Sequence, residues 1–259
     1  MNNLSPILKT RSLSVSIGGK QVCRELNFAL RPGERWGMLG LNGVGKTSLL
    51  HTLGGTRHGD AGEISLDGAG LAATPRRQIA QRVGTMYQDS DEAFPSSVLE
   101  AALIGRHPHL HAWEWESAQD EEIARAALYS VGLSGFEARS TATLSGGERR
   151  RLALAALLVQ DPQLFLLDEP VNHLDVHHQI AALELLTRLT REQSKALLMV
   201  LHDVNLATRY CDYVLLLFGE GETLQGPTRE LLTEANLARL YQHPMCRVPT
   251  DAGDFFYPM

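Results

Sequence analysis

The stretch Gly40-Leu41-Asn42-Gly43-Val44-Gly45-Lys46-Thr47 carries the residue types needed to hold phosphate. It satisfies the spacing G-x-x-x-x-G-K-S/T without a gap. Its glycines let the backbone wrap closely and aim N–H groups at phosphate oxygens. A helix start at the same place adds partial positive charge. Lys46 is placed to reach β- and γ-phosphates, and the Thr47 hydroxyl to hold Mg²⁺. The candidate contacts are Gly40, Asn42, Gly43, Gly45, Lys46, Thr47 and Ser48. A glycine-rich turn without a ligand is the bland alternative. The flanks argue against it: Arg35-Trp36-Gly37-Met38-Leu39 reads as a strand, and Thr47 to Leu53 as the first turns of a helix.

A second chemical signal lies at Asp168-Glu169, which ends the apolar run Leu164-Phe165-Leu166-Leu167. In open α/β sheets ligands sit at the carboxyl ends of strands. Asp168 suits Mg²⁺, and Glu169 suits polarisation of an attacking water. Two acids could simply mark a strand end, but a phosphate loop upstream favours the functional reading.

The third is Leu144-Ser145-Gly146-Gly147-Glu148, followed by Arg149-Arg150-Arg151 and an apolar helix from Leu152 to Val159. Ser145 reads as an N-cap, with Glu148 completing a capping box. Capping alone needs no pair of glycines. Bare N–H groups at a helix start make an anion site, so the chain offers two phosphate-binding helix starts.

These groups need a scaffold. Leu13, Val15 and Ile17, then Val22, Leu26, Phe28 and Leu30, alternate with polar residues around Gly18-Gly19, which predicts a hairpin. Glu63 to Gly68 reads as another short strand and turn. Together they predict a small antiparallel sheet. Residues 96–160 read as largely helical: Ser97 caps one helix, Asp120 to Val131 forms another, and Gly132 stops it. Residues 105–118 read as an exposed connection. The runs Leu164–Leu167, Ala196–Leu201 and Val214–Phe218 read as buried parallel strands, with a helix over Gln179–Leu189 between the first two. That alternation predicts a parallel α/β sheet.

Composition sets bounds. With 259 residues and 44% hydrophobic content the chain can bury a core, and a net charge of −6 argues against a nucleic-acid binder. Cys23, Cys211 and Cys246 are sparse, odd in number and widely spaced, so neither disulfides nor a zinc site is expected. A reducing compartment is the simpler reading. No signal peptide is read at the N-terminus. No apolar run approaches the roughly 20 residues of a membrane helix, so a soluble chain is expected. His107, His109 and His111 are interrupted by Pro108 and lack a completing acid or cysteine, so a solvated loop is favoured over a metal site.

The phosphate loop, Leu-Ser-Gly-Gly-Glu and the strand ending in Asp168-Glu169, in this order, resemble the ATP-binding cassette (ABC) ATPases. The similarity covers roughly residues 10–235, and Leu-Ser-Gly-Gly is highly specific to that superfamily. It implies a P-loop NTPase fold: an α/β nucleotide-binding domain with a parallel core sheet, an antiparallel β subdomain and a helical signature subdomain. The implied layout of residues 1–259 is a single domain. The β subdomain and core take about 7–88 and 160–235, the helical part about 89–159, and a C-terminal extension 236–259. The resemblance also implies ATP and Mg²⁺ as ligands and a head-to-tail pair of cassettes. Ser145, Gly146 and Gly147 would then contact the γ-phosphate in trans. Gln88, within Val83-Gly84-Thr85-Met86-Tyr87-Gln88, matches the glutamine that senses Mg²⁺ and the γ-phosphate. Asp175, in Asn172-His173-Leu174-Asp175, matches the aspartate at the dimer seam. His202 matches the switch histidine.

There are departures. Ile17 stands where an aromatic usually stacks on adenine, Leu41 replaces a common proline, and Ala156 a common arginine. None removes a catalytic group. Ile104-Gly105-Arg106-His107-Pro108, Asn172–Asp175 and Leu201 to Asp212 resemble the branch that imports ferric siderophores, haem and cobalamin. That branch implies a homodimer on transmembrane permease subunits at the cytoplasmic face of the inner membrane, fed by a substrate-binding protein. Residues 88–115 would include the surface that receives the permease. The competing expectation is a soluble ABC protein acting on nucleic acid or ribosomes; such proteins typically carry two cassettes or basic surfaces, which this chain lacks.

Overall fold

The computed structural model describes residues 4–87, 96–111, 113–251 and 253–259. The chain opens with β1 (Leu8–Ile17), β2 (Lys20–Leu26), β3 (Ala29–Leu30) and β4 (Arg35–Gly40), followed by α1 (Lys46–Leu53). Next come β5 (Ala61–Leu66), β6 (Ala69–Gly70), α2 (Arg76–Arg82) and β7 (Val83–Met86). A helical stretch follows: α3 (Val98–Leu103), α4 (Ala118–Ser130) and α5 (Gly146–Gln160). Then β8 (Leu164–Asp168), α6 (Val176–Gln193), β9 (Ala196–Val200), α7 (Val204–Tyr210) and β10 (Tyr213–Gly219) alternate. The chain finishes with β11 (Glu222–Pro227), α8 (Thr228–Leu231), α9 (Glu234–Tyr241), β12 (Met245–Thr250) and β13 (Gly253–Pro258).

The hairpin signal holds. Gly18 and Gly19 both have positive φ, 54° and 79°, which matches the twist of a two-residue hairpin, and Ile17 pairs with Lys20 across it. β2, β1, β5 and β6 form an antiparallel sheet in that order, with β3 also on β1.

The larger sheet runs β11-β10-β4-β9-β8-β7. Every pair from β10 to β7 is parallel, and β11 returns antiparallel beside β10. β4, β8 and β9 are buried along their whole length, as expected of strands covered on both faces. Alternate residues serve different cores. Leu164 and Leu166 pack with the antiparallel sheet and α1, whereas Phe165 and Leu167 pack with α3, α4, α5 and α6.

Strand order matters most for function. The chain segments following β4, β9 and β8 leave adjacent strands at their carboxyl ends. They carry the phosphate loop, His202 and Glu169, with Asp168 closing β8. β7, next to β8, leads through Tyr87 towards Gln88, which lies outside the described residues.

The helices start where short side chains can cap them. Ser97, Ser117 and Ser145 each form a complete capping box, with Glu100, Asp120 and Glu148. The two bonds from Ser117, with Arg106 beside it, hold the Asp120 carboxyl down at about 2. Arg35, at the start of β4, makes a two-pronged bond to Asp212 at 2.9 and 2.6 Å, which ties the phosphate-loop strand to the turn before β10.

Residues 105–111 are more tethered than expected. Arg77 and Gln81 on α2 donate to the Pro108 carbonyl, at 2.9 and 2.7 Å, and the His109 ring meets the Gln160 carbonyl at 2.8 Å. Trp113 and Trp115 beyond them are exposed. The segment after 236 is structured too. Asn205 on α7 exchanges two hydrogen bonds with the backbone of Phe256 on β13, at 3.0 and 2.7 Å, as a neighbouring strand would.

Candidate functional site

The phosphate loop sits between β4 and α1, as the sequence requires. Gly43 and Gly45 both have positive φ, 75° and 104°. A side chain at Gly45 would also run into Val22 on β2, so the hairpin braces the loop from outside. Lys46 is buried, and its Nζ donates to the carbonyls of Gly40 and Leu41 at 2.9 and 3.0 Å. Burial lowers its amine from the usual lysine value, with Glu169 and Asp168 pulling the other way. Asn42 and Gly43 are exposed, while Thr47 and Ser48 are half-buried at the start of α1.

Asp168 is fully buried, and both of its carboxylate oxygens lack a hydrogen-bond partner among the described residues. Burial pushes its carboxyl up, while the Thr47 hydroxyl beside it acts in the opposite sense. An unpartnered buried carboxylate is costly. A divalent cation held by Thr47 and Asp168 would relieve that cost, so this donor set fits Mg²⁺. Among the described residues no group of three or more histidine, cysteine, aspartate or glutamate side chains is placed to hold a metal ion.

Glu169 is also buried, with a left-handed backbone at φ 51°. For a residue with a side chain, such a conformation costs about 1–3 kcal/mol and persists only where the surroundings enforce it. They do so here. The His202 ring Nε2 meets one carboxylate oxygen of Glu169, and the Asn172 amide donates to the other. The backbone N–H of Glu169 donates to Val200 on the neighbouring strand at 3.2 Å. A carboxylate between an imidazole and an amide is aimed rather than free.

The signature segment begins α5. Ser145 accepts from the Glu148 N–H at 3.2 Å, and Glu148 accepts from the Ser145 N–H at 2.7 Å. Ser145 and Gly146 are exposed. A Cβ on Gly146 would meet nothing within 4 Å, whereas one on Gly147 would lie 3.2 Å from the His173 carbonyl oxygen. Asp175 sits exposed at the N-cap of α6, where it accepts from His178 N–H at 2.9 Å. That bond, with a second from the His178 ring Nδ1 at 2.9 Å, holds its carboxyl below the usual range.

Two contributors were missed in the sequence reading. Asn172 was quoted only for its place before Asp175. Arg150 was named only as part of the run Arg149-Arg150-Arg151 after the signature segment. Its guanidinium reaches the carbonyls of Tyr87, Asp168 and Glu169. An arginine within a helix that follows two glycines was the available signal. Tyr87 in turn stacks on His51 of α1, with ring centres 3.9 Å apart.

Residues 23–172 match the family described as ABC transporter. The petrobactin import ATP-binding protein FpuD of Bacillus anthracis is 35% identical over 246 residues, covering 94% of this chain and 89% of that one. The hemin import ATP-binding protein HmuV of Pseudomonas entomophila is 39% identical over 241 residues, covering 91% and 92%. A solved inward-facing transporter described as metal-chelate type superposes with a TM-score of 0.85 at 28% identity, over 98% of each chain.

Proposed function

The chain belongs to the ABC transporter family, and from that premise we propose that it is the ATP-hydrolysing subunit of an importer. It works as a head-to-tail pair beneath membrane permease subunits. The observation that carries the chemistry is the cluster of Lys46, His202, Asp168 and Glu169 beyond the carboxyl ends of the adjacent strands β4, β9 and β8. Gly43, Gly45 and the start of α1 cradle the phosphates, with Gly40, Asn42 and Ser48 around them. Lys46 exchanges its two carbonyl partners for β- and γ-phosphate oxygens. Thr47 and Asp168 would hold Mg²⁺, and Gln88 is assigned the sensing role that the family resemblance implies for it. When bound, the ion spreads the charge that develops on the transferring phosphoryl group. Glu169 takes the proton of the attacking water, and His202 steadies Glu169 and the γ-phosphate.

One chain is half of each site. Gly146 and Gly147 present backbone N–H groups beside the Ser145 hydroxyl at the start of α5, suited to a partner's γ-phosphate. Asp175, on the neighbouring exposed turn, lies at the pair's seam. In this reading residues 88–115, within the helical part of about 89–159, include the surface that meets the permease, while about 7–88 and 160–235 hold nucleotide. Among the described residues no helix is long and apolar enough to cross a membrane. Its proposed seat, on the strength of the relatives' import roles, is peripheral at the cytoplasmic face, against the permease.

The cargo proposed is a metal chelate of the ferric siderophore, haem or cobalamin kind, delivered by a substrate-binding protein. The relatives' import roles and the metal-chelate type neighbour support it. A role on nucleic acid is disfavoured by a net charge of −6. Co-expression with a permease of the metal-chelate branch tests the reading: the pair is expected to co-purify, and cargo-loaded binding protein to raise ATP hydrolysis in liposomes. Binding of RNA or ribosomes with no permease contact would overturn it.

Ile17 closes the first hairpin strand, half-buried and paired with Lys20, on the same hairpin whose Val22 lies against Gly45. With an aliphatic side chain there, most of the affinity comes from triphosphate and Mg²⁺. Base–aromatic stacking contributes about 1–3 kcal/mol per base. Ile17→Tyr is expected to tighten ATP by a fraction of that, and wild type to separate ATP from GTP poorly. Trp36 is no substitute, since it is buried against Phe28 and Tyr213. Equal titration curves for wild type, Ile17→Tyr and Ile17→Ala would show that residue 17 does not face adenine.

A further inference from the structure

Arg150 lies five residues after the Ser145 cap, about 7.5 Å along a helix. Its Nη1 donates to the Tyr87 carbonyl at 2.8 Å. Its Nη2 donates to the carbonyls of Asp168 and, at 2.6 Å, Glu169. One half-buried side chain thus joins three segments: the signature helix, the strand end that leads to Gln88, and the acid pair.

The geometry is specific. In an extended strand successive carbonyls point to opposite sides. Those of Asp168 and Glu169 converge on one nitrogen because Glu169 is left-handed. Arg150 therefore holds the very backbone turn that aims the Glu169 side chain at His202 and Asn172. Its charge also acts to lower the Asp168 carboxyl, although burial of that carboxyl outweighs it. A planar guanidinium can serve three acceptors in fixed directions, which a lysine ammonium on a flexible stem cannot reproduce.

We propose that Arg150 is a positioning residue that couples the two nucleotide sites of the pair. A γ-phosphate docking on Ser145-Gly146-Gly147 of one chain shifts the start of α5, and Arg150 passes that shift to Tyr87, Asp168 and Glu169 of the same chain. Those groups serve that chain's own nucleotide. Each site thereby learns whether the other is closed. The inference rests on the reading of the two sites given above.

Arg150→Met and Arg150→Lys test it, with Tm, ATP affinity, ATP-driven dimerisation in a Glu169→Gln background, and the ATP dependence of hydrolysis as readouts. Wild type is expected to hydrolyse ATP with a Hill coefficient near 2, the number of sites. Arg150→Met should bind ATP within about twofold of wild type and still dimerise. Its turnover should fall roughly 10- to 100-fold, with the Hill coefficient dropping towards 1. Arg150→Lys should recover Tm while leaving the Hill coefficient low. Unchanged turnover and Hill coefficient in Arg150→Met would overturn the proposal. So would a parallel loss of Tm, ATP affinity and rate at an unchanged Hill coefficient, the mark of a plain structural strut. A wild type that binds ATP without hydrolysing it would take down the reading of the site itself, and the coupling with it.

Discussion

Glu169→Gln is expected to bind ATP as wild type does and to lose turnover by roughly 10²–10⁴-fold, the scale of a lost general base. The amide keeps the size of the carboxylate and can still bond His202 and Asn172, so the buried pocket around it should keep its shape. What it loses is the ability to accept a proton. Because the nucleotide between the two chains is then no longer cleaved, ATP should hold the pair together long enough to be seen by size-exclusion chromatography. Phosphate release measured beside dimer content decides the matter. Hydrolysis close to wild type in this variant would remove Glu169 as the base and leave His202 as the group to examine.

The second large effect separates the two halves of each site. Lys46→Ala deletes the ammonium that lies on the Gly40 and Leu41 carbonyls, and it should weaken ATP binding. Gly147→Asp sets a carboxylate where a partner's γ-phosphate must dock, so each chain should bind nucleotide and fail to close the pair. Each variant alone should be close to inactive. A mixed pair retains one intact site, built from the phosphate loop of the Gly147→Asp chain and the signature helix of the Lys46→Ala chain. An equimolar mixture therefore restores at most about a quarter of the wild-type sites, given a symmetric pair. Gly146→Asp is the control. A side chain there meets open space, whereas one at Gly147 presses on the His173 carbonyl at 3.2 Å. If neither mixture recovers any hydrolysis, the arrangement in trans is wrong.

The site was largely legible in the sequence because its parts are local patterns. A strand, a glycine loop and a helix follow one another at 35–53, and the capping box at Ser145 needs three residues and no tertiary knowledge. The apolar run before Asp168 announces a buried strand whose end must be an acid pair. The adjacency of β4, β9 and β8 was not in any local pattern, since it depends on which strands choose to pair. Arg150 was unreadable for the same reason: its acceptors lie 63, 18 and 19 residues away. Residues 105–118 read as exposed because their composition is that of a loop. The bonds from Arg77, Gln81 and His109 that pin residues 108–110 come from elements distant in sequence. The end of the chain read as an unassigned extension, and only the bonds from Asn205 to Phe256 place its hairpin against α7.

The way Lys46 rests on two carbonyls bears on how fast nucleotide is captured. A glycine-rich loop left to itself would sample many shapes, and a ligand would have to freeze it. Here the ammonium stitches the loop to the end of its own strand, and Val22 leans on Gly45 from the other side. The ordering cost is thus met during folding rather than at encounter. Arrival of a triphosphate trades two carbonyl bonds for phosphate bonds with little rearrangement of the main chain. On the proposed function, loading is then expected to be limited by diffusion and by the shedding of water, with the slow events of the cycle left to the meeting of the two chains.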